Sequence, residues 1–129
     1  MDITLAVNAG RIKPLPYNGA MASFDTYEQF WPFYLGEHRR RATRTLHFAG
    51  TGLGLALCAA AVVSGDWRLL LGGLVAGYGL AWLGHFLVER NRPATFRYPL
   101  WSLYSDFRML ALFLAGRLAG ELKKHGIEP

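Results

Sequence analysis

The sequence predicts an all-α membrane protein: an antiparallel transmembrane helical hairpin with an N-terminal interfacial helix and a C-terminal interfacial or re-entrant helix. Three observations lead there. Two apolar runs, 46–63 and 69–88, each have about the length a bilayer core requires, and neither carries an acidic or basic side chain in its centre. Arginines flank the pair on one side: Arg39, Arg40, Arg41 and Arg44 before the first run, Arg90, Arg92 and Arg97 after the second, with only Ser64-Gly65-Asp66-Trp67-Arg68 between them. Small residues recur every three or four positions in both runs, the spacing that lets membrane helices approach closely. A buried hairpin in a soluble protein competes with this reading, but 129 residues leave too little chain to cover two such helices.

The charge pattern agrees. Lys and Arg number 14 against 9 Asp and Glu, a net charge of +5. Its placement beside the runs makes it a topology signal, with both termini cytoplasmic and the short loop on the far side. The expected partner is therefore a lipid bilayer with anionic head groups rather than nucleic acid. The first run starts well into the chain behind an arginine cluster, unlike a removable signal peptide. Cys58 is the sole cysteine, so no disulfide framework exists.

Residues 1–22, with Pro14, Pro16, Asn18 and Gly19, read as a flexible leader, and 23–120 as one helical membrane domain. The interfacial helix is expected at about 25–38. Asp25 and Glu28 resemble a capping box, and Tyr27, Phe30, Trp31, Tyr34 and His38 fall at helical spacing. Pro32 is expected to kink or restart this helix, whose Trp and Tyr favour the head-group layer. His38 and His47 would face apart on one continuous helix, so a bend near Ala42-Thr43 is needed for them to meet, with Thr43 or Thr45 capping the new helix.

The first span, about 45–64, carries His47, Gly50, Thr51, Gly54 and Cys58 on one face. The second, about 67–89, carries Gly73, Gly77, Ala81 and His85. His47 and His85 each lie about 19 positions from Asp66, so the hairpin brings them to one depth at its cytoplasmic edge. The same small faces would also suit a homo-oligomer. A third apolar helix, about 100–119, comes after Pro93 and Pro99 and contains Asp106, Arg108 and Arg117. Crossing would carry Lys123 and Lys124 outward against the charge bias, so it is read as a roof over the hairpin. Residues 121–129 read as a solvated tail, and His125 is left out of the site.

The metal-ligand set on this reading is His38, His47 and His85. Glu37, Glu89 and Asp106 lie within reach, either as further ligands or as carboxylates that orient an imidazole. Plainer roles compete: a histidine on an apolar face is often only a hydrogen-bonded packing residue, Glu89 has Arg90 and Arg92 beside it, and Asp106 has Arg108 or Arg92. Imidazole-rich sites with open positions suit iron, copper, nickel or zinc. The missing cysteine pair argues against structural zinc or an iron–sulfur cluster. A bis-histidine haem protein and a non-enzymatic lipid-binding or interaction subunit both remain open at this point. No glycine-rich phosphate loop and no nucleophile elbow is present.

Three blocks carry a resemblance: Tyr34-Leu35-Gly36-Glu37-His38, Leu46-His47-Phe48-Ala49-Gly50, and Gly84-His85-Phe86-Leu87-Val88-Glu89-Arg90-Asn91-Arg92-Pro93-Ala94. Over about 24–118 the chain resembles a family of small membrane proteins, long catalogued as a domain of unknown function, that includes the fungal 2-hydroxy fatty acid dioxygenase. It is most similar to the bacterial-type branch, which implies a bacterial inner membrane; the fungal branch has an Asn between its first two histidines, and 39–46 has none here. The resemblance implies an Fe(II)-dependent enzyme of α-oxidation that uses O2 to convert a 2-hydroxy fatty acid to the acid one carbon shorter. It also implies that His38, His47 and His85 correspond to the family's histidines. Three imidazoles on an octahedral ion leave three positions, enough for the carboxylate and hydroxyl of such an acid and for dioxygen. Arg92 or Arg39 would then steer the substrate carboxylate.

Overall fold

The computed structural model describes residues 23–129, all of whose regular structure is helical. The leader expected at 1–22 lies outside the described residues. Helix α1, Tyr27–Gly36, begins where the extended Thr26 accepts from the Gln29 N–H through Oγ1, while Gln29 Oε1 accepts from the Asp25 N–H. The reciprocal pair thus uses Thr26 and Gln29 instead of Asp25 and Glu28. The helix continues through Pro32, held by the buried face of Phe30, Trp31, Tyr34 and Leu35.

The chain then turns earlier than the sequence indicates, at 37–40 instead of Ala42-Thr43. Arg44 is the reason. Its buried guanidinium donates from Nη1 to the carbonyls of His38 (3.0 Å) and Arg39 (2.7 Å), which locks the turn. Helix α2, Arg41–Ser64, therefore starts after Arg40 without a side-chain cap, and Thr43 is fully buried against Gly84 instead of capping. Gly65, at φ 73°, ends α2, and α3, Arg68–Leu83, returns beside it.

The two helices pack antiparallel with their backbones in contact. A Cβ on Gly50 would lie 2.9 Å from the Gly77 carbonyl oxygen, and one on Gly73 3.0 Å from that of Gly54. The small faces are thus used within the chain. Arg41–Ser64 and Arg68–Glu89 are both long and apolar enough to cross a membrane, and only 17% and 22% of their apolar windows are buried. Val62, Val63, Leu71 and Val75 are left facing outward.

The second apolar stretch is not α-helical to its end. Residues Gly84–Glu89 form a π-helical turn that closes with the Asn91 N–H donating to the His85 carbonyl and with Arg90 left-handed at φ 59°. A 3-10 turn, Ala94–Phe96, leads into α4, Pro99–Leu114, and Gly116 at φ 68° reverses the chain into α5, Leu118–Lys124. The single helix expected at 100–119 is therefore two. Residues 121–129 are not a solvated tail either, because that reversal buries Leu122 and Ile127, and Glu121 accepts from Trp31 Nε1 at 2.9 Å.

The main apolar core lies among α1, α4 and α5, outside the α2–α3 pair. Phe30, Trp31, Tyr34, Met109, Leu118 and Leu122 form it. Arg108 stacks over Trp31 with its guanidinium 4.1 Å from the ring centre.

Candidate metal centre

His38 stands in the turn after α1, His47 in the second turn of α2, and His85 in the π turn; all three are buried. Their Nε2 atoms converge. His38 to His47 is 3.0 Å and His47 to His85 is 3.2 Å, and one ligand nitrogen from each ring lies within 4.8 Å of the others. The ring planes cross at 77° to 90°.

Each Nδ1 is engaged on the outside of the cluster. That of His38 meets the Tyr34 carbonyl at 2.6 Å, that of His47 the Asp106 Oδ1 at 3.0 Å, and that of His85 the Asn91 Oδ1 at 2.8 Å. The Asn91 orientation is fixed because its Nδ2 donates to the Glu37 carbonyl (3.0 Å) and to Glu37 Oε2 (2.8 Å). All three partners are oxygen acceptors, so each neutral ring carries its proton on Nδ1 and presents a lone pair at Nε2. Three lone pairs aimed at one another cannot hydrogen-bond; a cation between them resolves the repulsion. Nitrogens held about 2.1 Å from a common ion are separated by about 3.0 Å when the ligands are mutually cis, close to both Nε2 spacings. The donor set fits a metal ion.

The surroundings of His38 favour its neutral state. Burial, reinforced by His47 and His85, holds His38 well below the ordinary imidazole range. Burial, and then the Asp106 carboxylate, pushes the Tyr34 phenol well above its usual value. Tyr34 therefore keeps its proton and donates it to Asp106 Oδ1, the same oxygen that accepts from His47.

The family model described as "Mpo1-like: 2-hydroxy-palmitic acid dioxygenase Mpo1-like" matches residues 24–118. The chain belongs to this Mpo1-like family. No curated protein and no solved structure matches it. All three imidazoles of this Mpo1-like chain, and every side chain named above as holding them, fall inside the matched stretch, whereas α5 lies almost wholly beyond it.

The remaining residues singled out in the sequence fall in different places. Asp106 sits directly behind His47, paired with neither Arg108 nor Arg92. Glu37 is buried and supports Asn91. Glu89 does not reach an imidazole: its Oε1 accepts from the Arg40 N–H, tying the end of the π turn to the start of α2. Arg92 and Arg39 are exposed, and the buried cation beside His38 is Arg44, occupied by backbone carbonyls. His125 lies at the end of α5 with its Nε2 3.6 Å from Glu121. Two supporting side chains, Tyr34 and Asn91, escape a reading of the sequence. Both stand in the blocks that carry the resemblance, Tyr34 one helical turn before His38, but nothing there marks either as a support for an imidazole.

Within this Mpo1-like architecture an apolar groove of about 120 Å³ runs between α2 and α3 under α4. Asp106 contributes to its lining, so it reaches the side chain that holds His47.

Proposed function

We propose that this protein is a membrane-embedded, non-haem iron(II) dioxygenase that decarboxylates 2-hydroxy fatty acids oxidatively: RCH(OH)CO2H + O2 → RCO2H + CO2 + H2O. One observation carries the reading: three buried, proton-free Nε2 atoms converge on a point that suits an ion, in a chain of the Mpo1-like family. Bound there, iron supplies oxygen activation and Lewis acidity.

The protein's own contribution is orientation and protection. Asp106 and the Tyr34 carbonyl accept hydrogen bonds from the Nδ1–H groups of His47 and His38, which fixes the rings and makes the opposite nitrogens better metal donors. Asn91 and Glu37 do the same for His85. Burial of all three rings keeps bulk water away from the reacting groups. Only three side chains converge, so positions remain for the oxygens of substrate and dioxygen. A haem is disfavoured, since its axial ligands stand on opposite faces of a macrocycle, and here the nitrogens gather about 3 Å apart.

Membrane insertion of the α2–α3 pair is supported by the outward apolar side chains, since helices of this length in a soluble core are mostly covered. The flanking arginines favour an inner-membrane topology with both termini in the cytoplasm.

The test is iron analysis of the purified protein together with turnover of 2-hydroxypalmitate under oxygen, read as carbon dioxide release. Wild type is expected to hold iron and form the shortened acid. His47→Ala and His85→Ala are expected to fall below about a tenth of wild-type iron occupancy and lose turnover. Full iron and full activity in both variants would remove these residues from the site; Fe(II)-loaded wild type without product would end the enzyme reading.

A further inference from the structure

We propose that the groove between α2 and α3 seats the acyl chain of the substrate, and that Cys58 and Leu74 at its far end set the chain length accepted. The inference rests on the dioxygenase reading and adds the site for the substrate's tail.

The groove has three walls: α2 through Thr51 and Cys58, α3 through Leu74 and Tyr78, and α4 through Leu103 and Phe107. No histidine lines it, and Asp106 is the residue that links it to the metal centre. Asp106 belongs both to its lining and to the hydrogen bond that holds His47. Gly50 and Ala81, also in the lining, lie about one helical turn from His47 and His85. From His47 to Cys58 the helix rises about 16 Å, a distance that takes a long alkyl chain and not a short one.

The absence of a side chain at Gly77 is the second observation. Gly50 and Gly73 are required by backbone contact, but a Cβ on Gly77 would meet only the Gly50 carbonyl oxygen, at 3.7 Å. Helix packing alone leaves room for a side chain there, and with none the groove stays open. An alkyl chain in a bilayer is already out of water, so entering this groove gains little hydrophobic free energy. Its effect is register: a chain stopped by Cys58 and Leu74 places its polar end at the histidines, and a longer chain is excluded by overlap.

The sole cysteine supplies a reporter that does not depend on turnover. In wild-type protein loaded with iron, methylthiolation of Cys58 by methyl methanethiosulfonate is timed with and without 2-hydroxypalmitate or 2-hydroxyoctanoate. The long acid is expected to slow labelling about tenfold at about ten times its dissociation constant; the short acid leaves the rate unchanged. In a second arm, Cys58→Phe and Leu74→Trp are expected to lower kcat/KM for the long acid relative to the short one by about tenfold or more, with iron content unchanged. Leu74 is more than half exposed, so the larger ring has room without unfolding the protein. Val75→Phe, on an exposed position outside the groove lining, keeps the wild-type profile. Equal protection by both acids, or an unchanged profile in Leu74→Trp, overturns the assignment. A wild type that neither holds iron nor turns over fails the dioxygenase reading instead, a distinct result.

Discussion

Tyr34 holds two of the three imidazoles by two different groups: its backbone carbonyl accepts from His38, and its hydroxyl donates to the carboxylate behind His47. Tyr34→Phe separates these roles. The ring stays stacked on Trp31, 5.7 Å between centres, and the carbonyl is untouched; Asp106 loses the hydroxyl that steadies it. Iron affinity is expected to fall by about tenfold to a hundredfold without loss of fold, measured by competition with a coloured chelator. An affinity equal to wild type would show that the hydroxyl has no positioning role. His47 and His85 stood out in the sequence because ionisable side chains are rare in apolar stretches; His38, between Glu37 and Arg39, came from its helical spacing and from the family resemblance. Their supports were not legible there. A backbone carbonyl has no sequence signature, and the pairing of Tyr34 with Asp106 spans 72 residues.

The element that most changes the site is the π turn at Gly84–Glu89. Six residues along a regular helix put a side chain well away from the first one's face, so Asn91 would not meet His85. The wide turn and the left-handed Arg90 fold it back to 2.8 Å. Hydropathy is blind to that change in winding, which is why the sequence shows the second span and not its last turn. The start of the first span escaped for a similar reason: Arg44 looks like a topology marker, yet it fastens the turn that delivers His38. The packing of the spans, by contrast, could be read from glycine spacing. Gly50→Ala forces a methyl to 2.9 Å from the Gly77 carbonyl and is expected to cost about 1–3 kcal/mol. Gly52→Ala, with nothing within 4 Å, is neutral or stabilising by up to about 1 kcal/mol. Thermal unfolding in micelles compares them, and equal midpoints would mean that the backbones are not in contact there.

The whole molecule divides into an aromatic headpiece of α1, α4 and α5 and a projecting pair of apolar helices, with the histidines where the two meet. Composition foretold the helices and their arginine-flanked end; it did not foretell that α5 joins the headpiece, because the reversal depends on the single left-handed Gly116. The proportions of the projecting pair have a physical consequence. Helix α2 has 24 residues, about 36 Å, while a typical hydrocarbon core is about 30 Å, and His47 stands about 27 Å above Gly65. In the proposed membrane placement, with the Gly65 turn at the far boundary, the histidines would sit at the near one, and the bulky headpiece would resist being drawn deeper. Hydrophobic mismatch would then act on the proposed chemistry. In nanodiscs of phosphatidylcholines of increasing acyl length, turnover is expected to decline once the hydrocarbon exceeds about 30 Å, and a flat profile would contradict this placement. Bilayer thickness, a property of the solvent and not of any ligand, would then tune how readily this centre reaches its substrate.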